Sequence, residues 1–161
     1  VTSVEVSGWA ANDTTFFKPL VEATANNFQL REVSADKAYL SHSNVDKVAS
    51  YGAAPYIPFK SNTVVPTDDS AWAKMYYLFM LNRQQFLEHY HKRSNVETVF
   101  SMVKSKFGDS VRSKSDDGMV NEVLAKVLCH NICVLNQSVH ELGIEPTFCA
   151  DMPLAQKVSL N

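Results

Sequence analysis

His89-Tyr90-His91-Lys92-Arg93-Ser94-Asn95-Val96-Glu97, running on to Lys104, is the stretch on which the reading of this chain turns. Tyr90, Arg93, Glu97 and Lys104 recur at a Tyr-x2-Arg-x3-Glu-x6-Lys spacing. On one continuous helix at roughly 100° per residue, the four fall within an arc of about 60°. The helix then carries one polar stripe, a single carboxylate flanked by two cations. Such a stripe suits a metal ion beside a phosphate, because a carboxylate ligates the metal while Arg and Lys hold phosphate oxygens. Taken singly, each residue reads as an ordinary solvated charge, with Arg93 and Glu97 as an i, i+4 pair. Val96, Val99, Phe100 and Val103 lie beside the arc and are expected to pack against a sheet.

Upstream of this stretch the pattern alternates between strand and helix. Val1–Val6 alternates as a strand. Asn12 or Asp13 caps a helix whose apolar face is Phe16, Phe17, Leu20 and Val21. Phe28–Ala35 reads as a second strand, ending at Asp36. Asn44–Tyr51 reads as a short helix closed by Gly52. Ala54–Phe59 is a third strand, and Pro55 and Pro58 remove ladder donors, so it belongs at an edge. Ser70 caps a helix with the stripe Trp72, Met75, Tyr76, Phe79 and Phe86.

Downstream, a helix from about Arg93 to Phe107 ends at Gly108. A polar loop follows with Arg112 and Lys114. A last helix runs from about Asp117 to Leu142, with Gly143 as its stop. The order predicts an α/β fold of about three strands followed by packed helices.

Composition narrows the class of protein. The chain has 161 residues, 45% hydrophobic and 20% charged, the make-up of one globular domain rather than a disordered segment. A net charge of -2 gives no basic bias, which argues against nonspecific coating of nucleic acid. The three cysteines have no framework spacing, as expected in a reducing compartment. No apolar run reaches the length needed to span a bilayer. Cys129-His130-x-x-Cys133 lies within the last helix, without the second ligand pair that a structural zinc site needs.

The Tyr90, Arg93, Glu97 and Lys104 spacing resembles the YREK signature of insertion-sequence DDE transposases of bacteria and archaea. Neighbouring words resemble the same family: Glu32-Val-Ser-Ala-Asp-Lys-Ala-Tyr-Leu40, Ala54-Pro-Tyr-Ile-Pro-Phe-Lys60, and Asn121-Glu-Val-Leu-Ala-Lys126 with His130-Asn131. The resemblance runs from Val1 to about Leu142. It implies a partial ribonuclease-H-like fold over residues 1–142, with a C-terminal tail at 143–161.

On the family's pattern, Asp36 matches the second catalytic Asp and Glu97 the catalytic Glu, both as metal ligands. Read without the family, Asp36 is a strand-end cap to the next turn. The first catalytic Asp and the first two strands of the family have no counterpart here. Asp13, at a helix start, suits a cap. The chain therefore reads as a fragment, expected to be inactive or nearly so alone.

The resemblance implies two Mg²⁺ ions in the complete enzyme, with Mn²⁺ able to substitute. The ions would serve in-line displacement at phosphorus, first by water at the transposon end and then by the freed 3′-hydroxyl on target DNA. It implies that Tyr90 positions the strand while Arg93 and Lys104 hold phosphate. Lys60, Arg112 and Lys114 are further candidate phosphate contacts. The expected partners are DNA ends and target DNA, a second copy in a homodimer, and no membrane. The expected location is the cytoplasm, on the nucleoid. The competing reading is a catalytically dead transposase, truncated or domesticated, that only binds DNA. Trp72 is expected to pack rather than to stack on a base, and His89 and His91 to be incidental.

Overall fold

The computed structural model describes residues 1–8 and 12–145. The tail proposed at 143–161 therefore lies mostly outside the described residues, as does Cys149.

Local chemistry explains where each element begins. Asn12 accepts a hydrogen bond from the Thr14 N–H, opening a 3₁₀ turn at Asp13–Phe16 that runs into α1, Phe17–Ala25. Phe17 and Val21, one turn apart, are the buried residues of α1. Ser41 caps α2, His42–Ala49, by accepting from the Asn44 N–H. Gly52 then takes a left-handed φ of 73°, which glycine adopts without steric cost and which turns the chain into the next strand. Ser70 caps α3, Ala71–Leu81, by accepting from the Ala73 N–H.

Among the described residues two strands form, not three. β1, Glu32–Ser34, pairs in parallel with β2, Ala54–Tyr56, placing Glu32 opposite Ala54 and Ser34 opposite Tyr56. The turn after Asp36 and α2 make the crossover that a parallel pair requires. The expected strand at Val1–Val6 is absent. Alternation is only a local signal, and a strand needs a neighbour. Here the polar groups of the segment go elsewhere: the Val1 carbonyl accepts from Asn131 Nδ2 at 2.8 Å, and Ser3 Oγ donates to the Leu20 carbonyl at 3.1 Å. β1 is also shorter than the alternation from Phe28 suggested, and Phe28 itself is exposed.

The core forms on both sides of this pair. Phe17, Val21, Val48, Ala53 and Ile57 make one cluster. Tyr56, Phe59, Trp72, Met75, Tyr76, Phe79 and Phe86, with Val45, make the other. Successive residues Tyr56 and Ile57 enter different clusters, as the side-chain alternation of extended chain dictates. Trp72 is buried and stacks on His42 at 3.8 Å, the packing role expected for it.

The helix expected to carry both Trp72 and Phe86 is broken. Asn82, at φ -132° and ψ 61°, ends α3 and caps α4, Arg83–Tyr90, by accepting from the Gln85 N–H. The helix expected from Arg93 is preceded by a 3₁₀ turn at His91–Arg93, and α5 spans Ser94–Phe107. Tyr90 and Glu97 thus stand on different helices.

α5 and α6, Asp116–Leu142, pack on each other. Ser115 caps α6, Asp116 and Asp117 sit in its first turn, and Gly143 follows it in the left-handed region. Val96 and Phe100 of α5 are 58% and 56% exposed, so the expected packing of that face on the sheet is corrected. By length and composition α6 reaches what a membrane span needs. The expectation that no apolar run reaches that length is therefore corrected at α6, on length and composition alone.

Candidate metal and phosphate site

Asp36 lies two residues past β1, where the backbone leaves the sheet. It precedes the 3₁₀ turn at Lys37–Tyr39, yet its side chain makes no capping bond. The carboxylate instead meets Arg93, with Nε at 3.1 Å from Oδ1 and a second guanidinium nitrogen at 3.4 Å from Oδ2. That second nitrogen also donates to Glu97 Oε1 at 3.0 Å. The Tyr90 hydroxyl donates to Asp36 Oδ1 at 3.3 Å and accepts from Arg93 Nε at 3.0 Å. Four side chains from β1's end, α4, the 3₁₀ turn and α5 therefore share one hydrogen-bonded cluster. The hydrogen bond with Tyr90, and then the charge of Asp36, raise the Arg93 pKa further above its ordinary value.

This cluster is held by a brace that the sequence reading passed over. Glu32, on β1, accepts from Lys92 and faces His89 Nδ1 at 2.5 Å. Ser34 Oγ donates to the His89 carbonyl at 3.0 Å, and the His89 ring stacks on Tyr56 at 4.5 Å. Both strands thus grip the residue immediately before Tyr90. The hydrogen bond from Lys92 dominates in lowering the Glu32 pKa, and His89 adds to it. His89 is therefore part of the framework rather than an incidental surface ring. No local signal in the sequence pointed to it, since Glu32 and His89 lie 57 positions apart.

The other candidates sit apart. Lys104 is exposed on α5, two turns beyond Glu97, about 10 Å along the axis at 1.5 Å per residue. Lys60 is exposed just past β2, and Arg112 and Lys114 are exposed on the loop before α6. None shares a hydrogen bond or ion pair with the Asp36–Arg93–Glu97 cluster among the described residues. Glu122 holds the Arg112 backbone instead, accepting from its N–H at 3.0 Å, and from the Ser113 N–H at 2.9 Å and Oγ at 3.0 Å. The Ser113 N–H leads in pulling the Glu122 pKa down to about 2.

Cys129 is exposed and Cys133 half-buried, both as free thiols. Among the described residues no group of three or more His, Cys, Asp or Glu side chains stands ready for a metal ion.

Two hard oxygen donors converge on one cation here, at the carboxyl end of a parallel strand pair. That is the chemistry a divalent ion accepts, with the guanidinium standing where such a cation would be drawn. A family profile described as the Transposase DDE domain matches residues 1–132, and the chain belongs to that family. Searches of curated proteins and of solved structures returned no match. Membership ties the chain to transposition, and thus to DNA, in a family that generally uses divalent metal ions. It also implies a ribonuclease-H-like fold, of which the described residues display the two-stranded parallel sheet and its packed helices.

Proposed function

We propose that the chain contributes Asp36 and Glu97 as metal ligands to a Mg²⁺-dependent DNA-end cleavage and strand-transfer site. The observation that supports this most is the convergence of Asp36 and Glu97 on the single guanidinium of Arg93. Side-chain exposures of 51% and 69% leave both carboxylates open to solvent.

Divalent ions bound there would activate the attacking oxygen and stabilise the leaving one. Asp36 and Glu97 would hold them. Arg93, once those carboxylates are engaged, is free to turn its fork to a phosphate oxygen. Tyr90, already bonded to both Asp36 and Arg93, keeps that fork aligned and lies against the strand. Lys104, Lys60 and Arg112 extend the phosphate path outward.

With two carboxylates in the cluster, metal affinity is expected to be low, and cleavage by the chain alone at or near background. The direct test is Mn²⁺ binding followed by electron paramagnetic resonance. Asp36→Asn and Glu97→Gln are each expected to weaken it at least tenfold. Manganese binding indifferent to both substitutions sinks the proposal.

A second reading has its own support. Arg93 pairs with both carboxylates from within the chain itself, an arrangement that a catalytically dead DNA-binding module could keep. DNA binding that persists in EDTA and falls with salt, with no manganese bound at all, selects that reading.

A further inference from the structure

α6 carries two apolar faces, and the chain itself uses one of them. Val123 and His130 lie on the inner side, where His130 is 2% exposed. On that side Lys126 donates to the Ser110 carbonyl at 2.7 Å, and Glu122 accepts from the Ser113 N–H at 2.9 Å. Round the helix from them stand Ala125, Leu128, Ile132, Leu135, Val139 and Leu142. This side is open: Leu128, Ile132 and Leu142 are 60%, 56% and 69% exposed.

The spacing of those six residues is a second observation. They follow one another by steps of three, four, three, four and three positions. A repeat of 3.5 residues keeps a stripe in line only against another helix that winds round it. In heptad terms, Ala125, Ile132 and Val139 hold the first position and Leu128, Leu135 and Leu142 the fourth. Ile or Val at the first with Leu at the fourth is the choice that favours two strands.

Charge decides which helix fits. From residue 127 to residue 140 the chain has no Asp, Glu, Lys or Arg. The residues flanking the seam there are Cys129, Asn131, Asn136 and Ser138, so an identical helix meets no like charge across it. The Lys and Arg flanks that hold a helix on an anionic lipid surface are missing from the same stretch. The seam is about 26 Å long, at 1.5 Å per residue. Paired with itself it hides an area at the low end for a specific interface, which implies reversible association. Residues 1–4 add a groove of about 180 Å³ beside Leu124 and Leu128, a hole open to a knob from a facing helix.

We infer that α6 pairs along this seam with α6 of a second copy of the chain, as a two-stranded coiled coil. The pairing does not depend on Asp36, Arg93 or Glu97, which stand on other elements.

Sedimentation equilibrium of the 161-residue chain tests the inference, in a reductant that keeps Cys129 and Cys133 from cross-linking copies. The mean mass is expected to climb with concentration from 18.0 kDa toward twice that value. A Kd on the order of 10 µM suits so small an interface. Ile132→Lys and Leu135→Lys, both at exposed positions, are each expected to weaken association tenfold or more. Ile132→Val keeps a branched residue on the seam and is expected to retain most of it. Leu81→Lys, at an 83% exposed leucine of α3, and Asp36→Asn are each expected to change it less than twofold. The melting temperature of the parent chain is expected to rise with protein concentration, because only folded chains pair. That of Ile132→Lys is expected to stay constant.

Circular dichroism verifies that the lysine variants keep their helices. A mass of 18.0 kDa at every concentration overturns the inference. So does association that Ile132→Lys and Leu135→Lys leave unchanged, or that Leu81→Lys weakens equally. Assembly into three or four copies overturns it as well, since the seam selects two. If association needs Ile132 and Leu135 while manganese ignores Asp36 and Glu97, the seam stands and the metal site is wrong.

Discussion

Arg93 and Asp36 stand 57 positions apart in sequence and 3.1 Å apart in space, and the same guanidinium reaches Glu97 at 3.0 Å. One organic cation therefore bridges the two carboxylates. On the proposed reading, Arg93 competes with the metal for these carboxylates and also pairs with phosphate. Arg93→Gln is expected to raise Mn²⁺ affinity by about fivefold, the equivalent of losing one exposed pair worth about 1 kcal/mol. The same variant is expected to lose DNA affinity. Lower manganese affinity in Arg93→Gln would mean that the guanidinium positions the carboxylates rather than competing for them.

The brace behind this cluster has a pH dependence whose sign is fixed. Lys92, and then His89, hold the Glu32 pKa below its ordinary 4.5. A carboxylate depressed in the folded state contributes stability above the unfolded pKa and loses it as pH falls through the folded one. Thermal unfolding is therefore expected to weaken from about pH 4.5 downward, and Glu32→Gln to flatten that part of the profile. At pH 7 the substitution is expected to cost about 1 kcal/mol, as a half-exposed charged pair would. Melting curves of the two proteins between pH 3 and pH 7 decide it, and parallel curves remove the brace from the account.

How much of this was legible follows from the range of each interaction. Tyr90, Arg93 and Glu97 meet as their spacing implied, although the chain reaches that meeting through two helices and a 3₁₀ turn. Turns of 3₁₀ and α type both bring residues three and four apart together, so the wrong helix still gave the right neighbours. Lys104 shows the limit, because a shared face says nothing about seven residues of axial rise. The caps at Asn12 and Ser70 were readable, being local. So was the break at Asn82, in principle. Asn82 is an N-cap residue type, and the Gln85 N–H donates to its Oδ1, but the apolar stripe continuing to Phe86 reads as one unbroken helix. Glu32 with His89, and Val1 with Asn131, were not readable, since nothing local couples positions so far apart. The strand expected at Val1–Val6 failed for that reason: alternation describes a surface, and only a partner makes it a sheet.

Glu122 anchors the connection between α5 and α6, with the Ser113 N–H leading the groups that pull its pKa down to about 2. By the same sign rule, the anchor is intact above about pH 4.5, the ordinary value, and is lost as pH falls toward 2. Glu122→Gln is expected to speed hydrogen exchange of the Ser113 amide at pH 7, with little change at Phe86 in the core. Hydrogen–deuterium exchange resolved to that amide is the measurement. Unchanged exchange would mean that the loop is held by something other than this carboxylate.

Phe86 is the residue whose loss should cost most. It is 0% exposed, lies 5.4 Å from the Tyr56 ring and 5.0 Å from the Phe79 ring, both edge-on, and joins α4 to β2 and α3. Edge-to-face aromatic pairs add to the burial itself. Phe86→Ala is expected to destabilise the chain by about 3–5 kcal/mol, the range for an aromatic removed from a packed core. That is a large share of the stability of an ordinary domain. Because α4 ends at Tyr90, the same variant is expected to loosen the Asp36–Tyr90–Arg93 contacts before the chain unfolds globally. Phe86→Leu keeps most of the volume and is expected to cost much less. Urea unfolding gives the three stabilities, and Mn²⁺ affinity below the unfolding transition reports on the site. A Phe86→Ala protein with full stability would place the core elsewhere. One that is destabilised but binds manganese normally would uncouple the core from the site.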